Sequence, residues 1–182
     1  SGENAPGSVP VEIMHPGSLA LLLHAHLPFV RHPEHDEFHE EDWLFEAIVE
    51  TYLPLLRVFR KLASDRVPVQ VTLTLTPTLC AMLRDPLLQS RAERYLDRGV
   101  EISRLEIERT AGEPPLNELA RFYHERFASA RDFYLHTLRR DIVGAFAELQ
   151  RDGVVEIITC AATHGFLPLM ADFPEAMRAQ VM

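Results

Sequence analysis

Residues 67–77 read VPVQVTLTLTP. Apolar and β-branched residues alternate along them and a proline closes the run, so this is the clearest strand in the chain. Upstream, residues 18–23 read SLALLL, a continuous apolar run between Pro16-Gly17 and Pro28. Such a run suits a strand buried on both faces, as in a parallel sheet. Downstream, RDGVVEIITC predicts a turn at Asp152-Gly153 and a strand over 154–160. Between the first two strands, Leu44, Ala47, Ile48, Tyr52, Leu55, Leu56 and Phe59 fall at helical spacing. They predict a helix from Asp42, as its N-cap, to about Leu62, with a kink or interruption at Pro54.

Residues 78–150 are mainly helical. Asp85-Pro86 divides helices over 78–84 and 86–98, a third covers 102–110, and Asp141 divides the amphipathic stretch 116–150. The closing FPEAMRAQVM begins one more helix. Strand, helix, strand, helices, strand is the order of an α/β fold with a parallel sheet and crossover helices. A complete barrel takes about eight strands and roughly 250 residues. Three strands in 182 residues make an incomplete one. Residues 1–17, rich in small residues and turn formers, read as a flexible lead or tag remnant, with Met14 as a natural start. The barrel portion is then 18–182, with a helical insertion over about 78–150.

Hydrophobic residues make up 47% of the chain and charged residues 25%, which allows one ordinary core. The net charge of −9 disfavours unspecific nucleic-acid binding, which needs clustered Lys and Arg. No apolar run approaches the roughly 18 residues of a membrane span. Cys80 and Cys160 lie in apolar, strand-like contexts and read as buried, reduced thiols of a cytoplasmic protein.

The first predicted strand runs into His24, Ala25, His26, Leu27 and Pro28. Residues two apart on a strand point the same way. His164 follows the third strand, so three histidines gather at strand carboxyl ends, where folds of this class carry their sites. Two chemistries suit them. Neutral imidazoles bind zinc, and His-x-His after a first barrel strand is the arrangement of amidohydrolase-type metal enzymes. Neutral imidazoles also exchange hydrogen bonds with sugar hydroxyls, beside an aromatic platform such as Trp43, the only tryptophan. The run RHPEHDEFHEED, 31–42, offers further metal ligands but reads better as a solvated, mobile acidic loop.

Four ordered segments carry a resemblance: LALLLHAHLPFVRHPE, EEDWLFEAIVETYLPLLRVF, VTLTLTPTL and GVVEIITCAATHGFLPLM. Together they resemble the N-terminal part of glycoside hydrolase family 57, over residues 18–182, and most closely the 1,4-α-glucan branching enzymes of that family. His-x-His-x-Pro is similar to the family's first conserved region and ATHGFLPLM to its second.

The resemblance implies the N-terminal portion of a (β/α)7 barrel and a retaining transfer from α-1,4-glucan, such as amylose or glycogen, to a 6-hydroxyl. It implies that His24, His26 and His164 line the substrate pocket, and that the chemistry needs no metal or other cofactor. Its nucleophile is a glutamate and its acid/base an aspartate, both expected beyond Met182. Glu156 lies mid-strand, and Glu34, Asp36, Glu37, Glu40, Glu41 and Asp42 belong to the acidic loop. No catalytic carboxylate is therefore assigned here, and the chain alone is expected to be inactive. Amylases and 4-α-glucanotransferases of the same family share the histidines. The ATHGF form and the long helical insertion favour the branching type. A metal-dependent hydrolase and a non-catalytic glucan-binding protein are the readings from other classes. A stable short form also predicts a partner covering the open sheet edge, either the remainder of the barrel or a second copy.

Overall fold

The alternation in VTLTL has a structural counterpart: two opposite faces of one strand, one turned to a core and one to a site. In the computed structural model, which describes residue 17 and residues 19–181, this segment is β2, Val71–Leu75. It lies between β1, Leu22–Ala25, and β3, Val155–Ile158, with both pairings parallel. Val71, Leu73 and Leu75 point into the core with Ala25 and Val155. The other face carries Thr72 and Thr74, with His24 opposite Thr74 and Glu156 opposite Thr72. The expected lead over 1–17, Met14 included, lies outside the described residues except for Gly17.

β1 differs from its sequence reading. It begins at Leu22 rather than at residue 18, and it contains His24. Nor is it buried on both faces, since Leu21 and Leu22 are 49% and 59% exposed. Its only neighbour is β2, and no layer covers its second face among the described residues. β2 and β3 are likewise shorter than the runs 67–77 and 154–160.

The first crossover holds α1, Glu41–Ala47, a π-helical turn, Ile48–Tyr52, and α2, Leu53–Ser64. Pro54 has no N–H to return to the preceding turn, and that turn widens into the π form, which is the predicted interruption. Glu40 rather than Asp42 takes the N-cap position; Asp42 sits in the first turn, where a carboxylate favours the positive end of the helix.

The second crossover is longer. It comprises α3, Pro77–Arg84, α4, Pro86–Arg109, α5, Pro114–Asp132, a π-helical turn, Phe133–Thr137, and α6, Ile142–Arg151. The helices expected over 86–98 and 102–110 are one, α4. Its mid-helix glycine, Gly99, lets α5 approach: a Cβ there would run into the Phe127 ring. The expected divisions are present. Asp85 accepts from Leu87 N–H and Leu88 N–H to cap α4, and Asp141 accepts from Gly144 N–H to cap α6. Gly153, at φ +74°, ends α6 in the left-handed conformation that the Asp-Gly turn predicts. After β3 come a 3-10 turn, Leu167–Met170, and α7, Pro174–Val181.

Leu44, Leu56, Leu73, Leu79, Met82, Leu96 and Phe146 are fully buried between the sheet and its helices. Cys80 lies in α3, not in a strand, and both cysteines are half-buried rather than buried. Burial pushes both thiols above their ordinary pKa, which disfavours the nucleophilic thiolate.

The acidic loop is anchored from within. Arg91 of α4 donates to both Glu41 oxygens at 2.5 and 2.6 Å, and to the carbonyls of His32 and His35. Glu41 also accepts from His32 N–H at 2.9 Å. Arg91 and Glu41 are 6% and 1% exposed. Glu34, Asp36 and Glu37 are solvated, as expected, but the inner side of the loop is a buried ion pair. Removing one partner strands the other charge. Arg91→Met should cost about 3–5 kcal/mol in urea unfolding, and the double change Arg91→Met with Glu41→Leu should recover most of that loss.

Candidate functional site

β2 positions the histidines of β1. Thr74 Oγ1 lies 2.5 Å from His24 Nδ1, and Thr76 Oγ1 lies 3.1 Å from His26 Nδ1. The parallel register sets the first contact directly, because His24 and Thr74 are paired. Thr76, fully buried, also accepts from Leu79 N–H as the N-cap of α3 and lies 3.2 Å from Thr78 Oγ1. One hydroxyl thus ties a helix start to an imidazole. With each Nδ1 engaged, Nε2 of His24 and His26 has no protein partner among the described residues.

His164 arrives from the turn after β3. Its ring centroid lies 4.7 Å from that of His24 and 4.3 Å from that of His26, with tilted planes. His24 and His26 are themselves 6.2 Å apart. The three histidines predicted from sequence therefore form one cluster at the carboxyl ends of β1 and β3. His164 has φ +60°, unusual for a residue with a Cβ.

A base packed against other bases is harder to protonate. Burial lowers the pKa of His26 most, and the neighbouring His164 and His24 lower it further. A neutral imidazole offers one donor and one acceptor, which suits uncharged hydroxyl groups. A metal fits less well. Among the described residues no three His, Cys, Asp or Glu side chains are grouped as ligands.

Trp43 is not brought to the histidines. It stands on the first turn of α1, 48% exposed. A cavity of about 560 Å³ beside His24 and His26, along the free edge of β1, takes Ala47, Glu50 and Thr51 from the first crossover but not Trp43. A groove of similar volume between α4 and α5 is lined by Tyr95, Ile102, Leu119 and Phe127, and by no histidine. Glu156 shares the histidine face of the sheet but is exposed and lies nearer the amino ends of the strands, accepting from Thr72 Oγ1 at 3.0 Å.

Sequence reasoning missed Thr74 and Thr76. Their signal was the two-residue spacing of Thr72, Thr74 and Thr76, a polar stripe along one face of β2. Arg91 gave no such signal, since nothing along α4 marks which of its arginines turns inward.

The chain matches the Glycosyl hydrolase family 57 model over residues 20–182. It is 38% identical over 165 residues to the 1,4-alpha-glucan branching enzyme TK1436 of Thermococcus kodakarensis, covering 91% of this chain and 24% of that protein. The crystal structure of TK1436, in complex with glucose and additives, superposes with a TM-score of 0.76 at 31% identity, over 90% of this chain and 32% of that one. A crystal structure of the alpha-amylase AmyC from Thermotoga maritima gives a TM-score of 0.82 at 42% identity, over 89% of this chain and 30% of that one. The GH57-type branching enzyme from Pyrococcus horikoshii gives 0.82 at 37%, over 91% and 30%. The chain thus spans about a quarter to a third of the length of these relatives.

A depressed His26 pKa fixes the direction of a pH effect. The folded chain binds its proton less readily than the unfolded chain, so stability is full above the ordinary histidine range. It is lost as pH falls through that range toward the folded value. Urea midpoints at pH 7.5 and 5.5 should show a fall that is smaller in His26→Gln. An equal fall in both proteins would mean that His26 carries no linkage.

Proposed function

Since this chain belongs to glycosyl hydrolase family 57, we propose that it is the N-terminal part of a 1,4-α-glucan branching enzyme and supplies one wall of its substrate pocket. On this reading residues 18–182 open the catalytic (β/α)7 barrel, with about 78–150 as its helical insertion. The observation that carries it is the cluster of His24, His26 and His164 on the polar face of the sheet, the first two held by Thr74 and Thr76. Nε2 of His24 and of His26 is left free to hydrogen-bond a ligand. Together the three histidines hold the hydroxyls of the reacting glucose unit and set its ring.

Retaining transfer breaks the α-1,4 bond, leaves the glycosyl group on a carboxylate, and passes it to an acceptor hydroxyl. The two reacting carboxyl groups stand ~5–5.5 Å apart in such enzymes. Here Glu156 is bonded to Thr72, and the carboxylates of 34–42 precede or open α1 rather than line the cavity beside the histidines. Glu50 is the carboxylate that does line that cavity, but it stands there without a second carboxylate among the described residues; the family resemblance places the reacting pair beyond residue 182. Trp43, exposed beside the acidic loop, offers a flat apolar face to a more distant part of an α-glucan. The chemistry uses no metal or other cofactor.

A second reading has an observation of its own. The 42% identity to the alpha-amylase AmyC makes hydrolysis, with water as acceptor, the competing outcome. In the longer polypeptide, His164→Ala should lower turnover on amylose by roughly 10²-fold while the fold persists. Full turnover in that variant would end the pocket assignment. New α-1,6 linkages, read by proton NMR, support the branching reading; reducing ends without branches support the amylase one. The 182 residues alone should produce neither.

A further inference from the structure

The turn that presents His164 is fastened to the last turn of α7. Gln180 Oε1 accepts from Thr163 N–H at 3.0 Å and from Thr163 Oγ1 at 3.1 Å. Gln180 Nε2 donates back to Thr163 Oγ1 at 2.8 Å. The backbone carbonyl of Gln180 accepts from Ala162 N–H at 3.0 Å. One residue therefore engages both residues that precede His164. Within the turn, His164 N–H donates to Ala161 C=O at 2.9 Å. The next residue, Gly165, has the end of the Met170 side chain packed where a Cβ would stand, so the turn is also confined from below.

This fastening sits directly beside an unfavourable backbone conformation. His164 is the only residue of its turn with positive φ among the described residues, at +60°. A side chain there persists only where its surroundings over-determine it. α7 has no buried residue that would hold it in place for another purpose. Its side-chain hydrogen bonds to the chain before it come from Gln180 and end on Thr163.

We propose that Gln180 is a positioning residue for His164: its amide grips Thr163 and so holds the turn in the left-handed conformation that sets the His164 ring against His24 and His26. Its relevance to glucan rests on the pocket reading above, but the placement itself does not. Without the grip the turn relaxes toward ordinary φ and the His164 imidazole leaves its neighbours. His26 then loses a repelling base, and its proton affinity rises.

The test is an NMR titration of the histidine ring protons in the 182-residue chain. Gln180→Ala and Thr163→Val should each raise the proton affinity of His26 by roughly two- to fivefold, the scale of one partly solvated charge at about 4 Å. Thr163→Ser keeps the hydroxyl and should titrate as the parent does. A change of global stability alone would not move one imidazole selectively. An unchanged His26 titration in Gln180→Ala overturns the proposal; should that variant not fold, the Thr163 pair decides in the same way.

In the longer polypeptide, where the rest of the pocket is present, the same resonances report maltotetraose. Binding should weaken roughly tenfold in Gln180→Ala, the scale of one or two lost hydrogen bonds. If the parent responds to no maltotetraose while the titrations move as expected, the pocket reading fails and the positioning role stands. If the parent binds the sugar and the titrations do not move, the positioning role fails and the pocket reading stands.

Discussion

Parallel pairing of β2 between β1 and β3 is the constraint on which the rest depends. Parallel neighbours cannot be joined by a tight turn, so each strand must be reached by a crossover that returns the chain to the same end of the sheet. The two crossovers bring Ala25, Leu75 and Ile158 to one side. The residues leaving each strand therefore meet one another: His26, Thr76, and the turn bearing His164. The outer histidines are 164 − 24 = 140 positions apart in sequence, yet their rings lie 4.7 Å apart. The pleat supplies the second half of the arrangement. It sends the apolar residues of β2 into the helical layer and the threonines to the other face, so core and histidine cluster use opposite faces of one strand.

Magnitudes show which side supports which. Each large apolar side chain buried in the core contributes about 1.5–3 kcal/mol, and a dozen large side chains are fully buried. The site draws on that reserve. A left-handed residue with a Cβ costs about 1–2 kcal/mol, and each hydrogen bond around it returns about 0.5–1.5 kcal/mol net. The four bonds that link Gln180 with Thr163 and Ala162 are therefore together enough to offset the strain at His164. The Arg91–Glu41 pair is different in kind. Replacing both partners by apolar residues costs little, while removing one costs several kcal/mol. Its role is to choose one path for the acidic loop rather than to add stability.

Much of this was legible in the sequence. The strand over VTLTL, the breaks at Asp85-Pro86 and Asp141, the Asp-Gly turn and the gathering of His24, His26 and His164 follow from local pattern and strand order. The misreadings share a cause: each needed knowledge of a neighbour. SLALLL looks like a doubly buried strand because its composition is that of one, but burial depends on a layer that residues 18–23 do not encode. Residues 86–98 and 102–110 look like two helices until the contact of Gly99 with the Phe127 ring explains why a glycine is wanted inside one. The acidic loop looks fully solvated because Arg91, 50 positions from Glu41, is invisible from the loop. The cysteines look like strand residues because Cys80 adjoins a strand and shares its apolar composition.

If the histidines form a wall of the sugar pocket, as proposed, reaction type is hard to read from this part of the family. The relatives named as an alpha-amylase and as branching enzymes are 42%, 37% and 31% identical to the chain over nearly the same residues, and all superpose well. Breaking an α-1,4 bond places the same demands on the sugar that is held, whatever later accepts it. On the proposed reading, a wall that grips that sugar through imidazoles is common ground between hydrolysis and transfer. The difference lies in whether water or a sugar hydroxyl reaches the glycosyl-enzyme first. That choice belongs to the surfaces that shape the acceptor side. On the proposed reading, His24, His26 and His164 serve the donor side, and neither their number nor their spacing carries information about the acceptor.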